Sequence, residues 1–234
     1  MEQLGVDMVN VQGGEGGGHT GSVPTTVLLP QVLDAVKIPV IASGGMADGR
    51  GLAAALAYGA VGIAMGTRFL LTKESPVPEV TKAAYLKATT DDIYVTTKLD
   101  GIPQRMVRTK ALDRIERAGP LGKWLRAFES GLEMKKQTGM SWGDVIRYAR
   151  GMTGQGAPLT QAIMAANMPM MIQKAIVHGD IENGVMATGV VGGRIAEIPS
   201  CQELVDRIVA EAHERLNALA ALGANAASKN DSVA

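Results

Sequence analysis

Three short, mainly apolar runs, each ending at a glycine turn, dominate the first third of the chain. Residues 6–11 lead into the segment QGGEGGGHTG at 12–21, residues 38–43 stop at a glycine pair, and residues 60–65 stop at Gly66. The runs lack the strict alternation of half-exposed strands and are typical of strands buried on both faces of a parallel sheet. The pattern therefore predicts three buried strands, each followed by a glycine turn.

Helical spacing between the runs predicts the connections of this sheet. Residues 48–58 carry a helical pattern that ends at Gly59, so this part reads as strand, turn and helix. Parallel pairing requires such crossover connections, and the sequence therefore predicts an α/β fold. In an eight-stranded βα barrel, the loops after the last two strands commonly bind phosphate. An open doubly wound sheet is the alternative, although its G-x-G-x-x-G fingerprint followed by an acidic residue is not met.

The glycine segment at 12–21 also carries candidate ligand-binding chemistry. Glycine permits positive φ and close approach of the backbone to a flat or anionic ligand, while Gln12, Glu15 and His19 supply polar side chains at the strand end. At the third turn, Thr67 and Arg68 follow Gly66 and add a hydroxyl donor and a positive charge, for which a phosphate is the expected ligand. A flexible surface loop is the alternative interpretation of the first segment.

The strings QGGEGGGH, IPVIASGGMADGRG, AMGTRF and KES, in this order and spacing, resemble the nitronate monooxygenase family, formerly called 2-nitropropane dioxygenases. That family is itself similar to FMN-dependent enoyl-acyl-carrier-protein reductases and certain NADH:quinone reductases. The resemblance implies FMN on a TIM (β/α)8 barrel, with His19 as the catalytic histidine. The cofactor-binding residues that it implies are Gln12, Gly17, Gly18, Gly44, Gly45, Ala64, Met65, Gly66 and Thr67.

The match begins near residue 5, with what would be the sixth strand of the barrel. The expected fold is therefore the C-terminal portion of a TIM (β/α)8 barrel, its last three βα units, followed by a mostly helical segment. Three parallel strands have open edges and cannot close a barrel, so we expect Met1 to be a cut or misplaced start. A short natural protein with an open sheet is the alternative.

The remaining chain is expected to be mostly helical. The predicted organisation is a partial barrel with FMN-binding loops at 1–118, a helical cap or insertion at 119–199, a C-terminal helix at 200–222 and a disordered tail at 223–234. The segments that support it are helices at 76–89, 121–138, 141–151 and 158–178, a strand at 93–99, a turn at 101–105 leading into a helix at 107–117, and a capping box from Ser200 to Glu203. The glycine-rich segment 184–193 is either a surface turn or a loop that returns towards the flavin.

Composition fits a cytoplasmic enzyme. The 23 basic and 23 acidic residues balance, which gives no electrostatic footprint for nucleic acid or an anionic membrane. A single cysteine, Cys201, excludes an intramolecular disulfide. His178 and His213 lack ligand partners at helical spacing, so no metal site is expected. Eight of the 13 methionines lie between Met134 and Met186, where core packing is favoured over an adaptable ligand pocket.

The expected function follows from the resemblance and from flavin chemistry. Redox work belongs to the cofactor, and a histidine can act as acid or base near neutral pH. We therefore expect oxidation of alkyl nitronates with O₂ to a carbonyl compound and nitrite. A homodimer is one assembly that the sequence allows. The alternatives are a flavin-dependent NAD(P)H:quinone or enoyl-thioester reductase, and a non-catalytic fragment that requires the missing barrel half.

Overall fold

The computed structural model describes residues 1–152 and 158–231. Its strands are β1 (Val9–Gln12), β2 (Gly18–His19), β3 (Val40–Ser43), β4 (Gly62–Ala64), β5 (Ile93–Thr96), β6 (Gln104–Val107) and β7 (Met186–Ala187). Its helices are α1 (Thr25–Ala35), α2 (Gly49–Tyr58), α3 (Thr67–Leu70), α4 (Glu79–Lys87), α5 (Lys110–Glu116), α6 (Pro120–Thr138), α7 (Trp142–Met152), α8 (Leu159–Ile176) and α9 (Cys201–Asp231). The fold is α/β, as the sequence predicts.

The chain forms two compact units. The first contains residues 1–16, 21–75 and 195–234, and the second contains residues 17–20 and 76–194. This division differs from the boundaries expected at 118 and 199, because β5, β6 and α5 join the helical part and α9 joins the first unit. Local patterns cannot show such groupings, since they depend on packing between segments far apart in sequence.

A parallel sheet with strand order β1-β3-β4 forms the centre of the first unit. It buries an apolar cluster that includes Val11, Leu29, Val40 and Ala42. The prediction of three parallel strands is confirmed, but the first strand begins at Val9 and not at residue 6. The Val9 N–H donates to the Pro39 carbonyl at 3.0 Å. Because Pro39 has no N–H of its own, it cannot donate the bond that would continue the ladder beyond this point.

The last helix belongs to the first unit because it packs on α2. The Gly49 N–H donates to Glu211 Oε2 at 2.9 Å, and a Cβ on Gly49 would lie 2.3 Å from Glu211 Cβ. The predicted capping box is confirmed: Ser200 N–H donates to Glu203 Oε2 at 2.7 Å, and Glu203 N–H donates to Ser200 Oγ at 3.1 Å. The disordered tail expected at 223–234 stays a prediction: α9 extends to Asp231, and residues 232–234 lie outside the described residues.

The second unit contains a small antiparallel sheet that the sequence did not predict. Its order is β2-β6-β5, and β7 also pairs with β6. Residues 104–107 form strand β6, so the predicted passage from a turn at 101–105 into a helix at 107–117 is wrong. The helix α5 begins at Lys110, where the Thr109 hydroxyl accepts the Leu112 N–H at 3.2 Å. Two-residue strands such as β2 and β7 carry no detectable period.

Methionines fill the core of the second unit, which is the favoured interpretation of their clustering. Met164, Met168 and Met171 of α8 pack with Leu99 and Met106 in one buried cluster. Among the described residues, no helix has the length and apolar character needed to cross a membrane. The same residues contain no group of histidine, cysteine and carboxylate side chains suited to a metal ion.

Candidate functional site: the glycine turns and the histidine dyad

The carboxyl ends of the three parallel strands lie level with one another. Gln12 of β1 is the register partner of Ser43 of β3, and Ser43 is the partner of Ala64 of β4. Neighbouring strands are about 4.8 Å apart, so the three ends span about 10 Å. The turns that follow β3 and β4 therefore start side by side. The predicted contacts that the structure brings to this edge are Gln12, Gly44, Gly45, Ala64, Met65, Gly66 and Thr67.

Gly44 and Gly45 form a left-handed turn that only glycine accommodates well. Their φ angles are +84° and +78°, in the region that side chains rarely adopt. A Cβ on Gly44 would lie 2.9 Å from the Gly13 carbonyl oxygen and 3.1 Å from the Gly16 nitrogen. The glycine at 44 is thus required by packing against the preceding loop as well as by its conformation.

Gly66 differs from these glycines because nothing in the structure demands it. Its φ is −83° and its ψ is −67°, an ordinary helical conformation, and among the described residues no atom beyond its chain neighbours lies within 4 Å of the position that a Cβ would occupy. Gly66 is exposed and stands at the N-cap of α3, where the first N–H groups of the helix lack intrahelical acceptors. Backbone N–H groups at the start of a helix are potential donors to an anionic ligand group.

Arg68 does not supply the exposed positive charge that the sequence predicted. Its side chain is 4% exposed, and Nη2 donates to the carbonyls of Leu71 at 3.1 Å and Glu197 at 3.0 Å. Burial lowers the pKa of the guanidinium, an effect that the charge of Glu197 opposes. Arg68 therefore links the turn to the segment before α9 through its hydrogen bonds.

Glu15 also has a structural role in place of the predicted position at the ligand rim. Its Oε2 accepts the Thr25 N–H at 2.9 Å and the Thr25 hydroxyl at 2.7 Å. The Thr25 hydroxyl is also 3.1 Å from the Gly44 carbonyl oxygen. Thr25 is the first residue of α1, so the Glu15 carboxylate caps that helix from a distance and joins the glycine segment to the Gly44 turn.

We expect Glu15→Ala to lower the free energy of unfolding by about 1.5–3 kcal/mol, because a half-buried helix start loses its charged acceptor. Urea denaturation of the purified protein measures this. Glu2→Ala is the matched control, since its carboxylate accepts the Lys37 N–H at 3.2 Å on an exposed surface. It should change stability by less than about 0.5 kcal/mol. Equal effects of the two variants would contradict the capping role.

The second unit holds His19 together with a carboxylate that the sequence did not single out. The His19 Nε2 atom lies 2.7 Å from Asp100 Oδ2. The His19 side chain is 58% exposed, whereas that of Asp100 is 10% exposed. An imidazole open to solvent and backed by a recessed carboxylate is an arrangement suited to proton transfer.

Asp100 lies in the connection between β5 and β6. Its Oδ1 accepts the Ile102 N–H at 2.9 Å, and its Oδ2 accepts the Gln104 side-chain amide. A sequence signal for this site was present, because Asp100 and Gly101 form an Asp-Gly pair of the kind that connects antiparallel strands. What the sequence could not show is that His19 pairs with Gln104 across β2 and β6.

The segment 184–193 lies against the glycine that precedes the histidine strand. A Cβ on Gly17 would lie 2.4 Å from the Thr188 carbonyl carbon and 2.5 Å from the Gly189 nitrogen. Thr188 is 1% exposed, so the interpretation of this segment as a surface turn is wrong. Gly17 is explained by this packing, whereas Gly18 has a φ of +65° and open space around its Cβ position.

Parallel strands whose carboxyl ends carry aligned glycine turns are typical of α/β proteins, many of which bind a ligand at this edge of the sheet. The model of the nitronate monooxygenase family matches residues 1–211 of this chain. The chain belongs to the nitronate monooxygenase family. The family resemblance drawn from the glycine motifs is thereby confirmed.

The proteins that are similar to this chain carry several different names. A Rhodococcus jostii protein named (3aS,4S,5R,7aS)-5-hydroxy-7a-methyl-1-oxo-octahydro-1H-indene-4-carboxyl-CoA dehydrogenase is 49% identical over 221 residues, covering 94% of this chain and 63% of that protein. FabK (M276A) from Thermotoga maritima aligns with a TM-score of 0.69 and 32% identity, over 94% of this chain and 56% of that one. Nitroalkane oxidase from Streptomyces ansochromogenes aligns with a TM-score of 0.64 and 27% identity, over 93% and 55%. The chain thus spans about six-tenths of the length of these proteins.

Proposed function

We propose that this chain is the flavin-binding and catalytic C-terminal part of an FMN-dependent nitronate monooxygenase. The observation that carries the proposal is the side-by-side start of two glycine turns, after Ser43 and after Ala64, at one edge of a parallel sheet. The overall reaction converts two alkyl nitronates and one O₂ to two carbonyl compounds and two nitrite ions. When bound, FMN supplies the electron-transfer chemistry that no side chain of the protein can provide.

The proposal includes a barrel that is completed by strands outside this chain. The order β1-β3-β4 follows the chain order without reversal, as in consecutive strands of a (β/α)8 barrel. A doubly wound sheet reverses its order at the switch point, and the three strands here contain no such reversal. Within the described residues, β1 and β4 each pair only with β3, so both outer edges offer hydrogen-bonding groups to further strands.

The residues of the third turn fit the phosphate of FMN. Gly66 leaves open space over the start of α3, and backbone N–H groups with the Thr67 hydroxyl would donate to phosphate oxygens. The buried Arg68 charge would add attraction without direct contact. Gln12, Gly17, Gly18, Gly44, Gly45, Ala64 and Met65 complete the proposed set of flavin contacts, in agreement with the family resemblance.

His19 is the proposed acid–base residue. An alkyl nitronate is an anion, and an imidazole can donate a hydrogen bond to it or exchange a proton with the reacting carbon or oxygen. The exposure of the His19 ring leaves it accessible to a small substrate, while the contact with Asp100 orients the ring.

A second candidate function is flavin-mediated transfer of hydride between a nicotinamide cofactor and a thioester or quinone substrate. It is favoured by the relative that carries a carboxyl-CoA dehydrogenase name and covers 94% of this chain. The glycine turns and His19 would serve either reaction, because both need a bound flavin and a proton donor or acceptor. Only the substrate pocket would differ.

Two assays on the purified, FMN-loaded protein distinguish these functions. We expect oxygen uptake and nitrite release with an alkyl nitronate, and oxidation of NADH or NADPH no faster than the background rate with a quinone or an enoyl thioester. The physical reason is that a monooxygenase reoxidises its flavin with O₂ and needs no nicotinamide site. Nicotinamide oxidation that depends on the thioester or quinone, without nitronate turnover, would contradict the proposed function and support the second one.

A further inference from the structure

We infer that Asp100 is a positioning residue that fixes the neutral His19 ring with its proton on Nε2 and its lone pair on Nδ1. The inference rests on the proposed function for the role of His19 in turnover. The tautomer, however, follows from the contact between His19 and Asp100 and not from the reaction. It can therefore be tested separately from the reaction.

The Asp100 carboxylate is held in one orientation by donors from three positions. The Ile102 N–H reaches Oδ1 at 2.9 Å, the Gln104 amide reaches Oδ2, and His19 Nε2 lies 2.7 Å from Oδ2. Gln104 is 2% exposed, so its side chain stays beside the Asp100 carboxylate. His19 and Gln104 are register partners in the antiparallel ladder. Two neighbouring strands thus direct their polar groups to the same carboxylate.

The chemistry of a carboxylate then decides the tautomer of the ring. An ionised aspartate only accepts hydrogen bonds, and a neutral imidazole carries one N–H and one lone pair. A 2.7 Å contact between His19 Nε2 and Asp100 Oδ2 therefore requires the proton on Nε2. The lone pair of the neutral ring lies on Nδ1. This is the same orienting role that a buried aspartate has beside a catalytic histidine in other enzymes.

Asp100→Asn is expected to reverse this arrangement without removing the loop contacts. The Ile102 N–H is a fixed donor, so the new amide oxygen should face it, as Oδ1 does in the present structure. The new NH₂ group then faces His19 and Gln104. Gln104 can rotate its amide to accept, but His19 Nε2 must lose its proton to accept from the NH₂ group. The proton of the neutral ring therefore moves to Nδ1.

Nitrogen-15 NMR of the FMN-loaded protein measures the tautomer directly, at a pH where the rings are neutral. The chain has three histidines, so the ring signals that disappear in His19→Asn belong to His19. His178 and His213 serve as internal references. We expect an Nε2–H ring in the unaltered protein and an Nδ1–H ring in Asp100→Asn. Gln104→Met, which removes a donor but keeps the carboxylate, should retain Nε2–H. An Nε2–H ring in a folded Asp100→Asn protein would overturn the inference.

Turnover supplies the second measurement. We expect kcat with an alkyl nitronate to fall by about 100-fold or more in Asp100→Asn, with FMN content and KM little changed. Asp92→Asn is the matched control, since Asp92 Oδ2 accepts hydrogen bonds from the N–H and the hydroxyl of Thr89 and is not part of the hydrogen-bond network around Asp100. A reversed tautomer with kcat within about threefold of the unaltered protein would overturn the positioning role of Asp100 in turnover. Failure of the proposed function would show separately, as an unaltered protein that does not turn over nitronate.

Discussion

Gly66→Val is expected to give a folded protein that is isolated mostly without flavin. The valine side chain would enter the space over the start of α3, which is empty of protein atoms within 4 Å of the Cβ position. The backbone there has a φ of −83°, which valine adopts without strain, so the fold should be kept. If the FMN phosphate occupies that space, the valine excludes it. Flavin titration by fluorescence quenching, with circular dichroism as the folding check, measures the effect.

Gly62→Val is the control for Gly66→Val, because Gly62 begins the strand β4 that precedes the Gly66 turn and also has no atom of the described residues within 4 Å of its Cβ position. Its flavin affinity should stay within about threefold of the unaltered protein. Thr67→Ala should lose one hydrogen bond to a charged group, about 1.5–3 kcal/mol, which corresponds to roughly tenfold to a hundredfold weaker binding. Unchanged affinity in a folded Gly66→Val protein would show that the phosphate binds elsewhere.

His19→Asn is expected to lower kcat for an alkyl nitronate by about 100-fold or more while flavin content stays near that of the unaltered protein. The reason is that the imidazole is 58% exposed and its proposed role is proton exchange, whereas the ring does not support the core. Asparagine retains a polar side chain that can still donate to Asp100. Steady-state oxygen uptake and the absorbance of released flavin measure the two quantities.

His178→Asn and His213→Asn are the controls for the histidine prediction. His178 follows the end of α8 and His213 lies on α9, and neither is part of the proposed site. Both variants should retain kcat within about twofold. Parallel loss of flavin and activity in His19→Asn would assign His19 a structural role, and no loss of activity would remove it from the mechanism.

Local sequence rules account for the part of the fold that proved predictable. The strand ends at Gln12, Ser43 and Ala64 were recognisable because a glycine turn interrupts each apolar run. The capping box at Ser200 and Glu203 was recognisable because both of its hydrogen bonds form within four residues. Such features depend on neighbours along the chain, so one sequence is enough to find them.

The antiparallel sheet and the histidine dyad could not be found in this way. His19 and Asp100 are 81 residues apart, and their contact depends on β2 pairing with β6. The Arg68 side chain was equally unpredictable, because its acceptor at Glu197 is 129 residues away. Local composition shows that these residues are polar or charged, but it does not show whether a distant segment covers them.

The sequence by itself determined the family, the parallel strands and the three glycine turns, whereas only the tertiary structure decided what each glycine is for. Every glycine lacks a Cβ, and the sequence alone does not distinguish one glycine from another. The consequence of the missing Cβ depends on what lies in the vacated space. At Gly17 that space holds the backbone of Thr188 and Gly189, from the far end of the second unit. At Gly66 no atom of the described residues lies within 4 Å of that space, so packing does not require a glycine there.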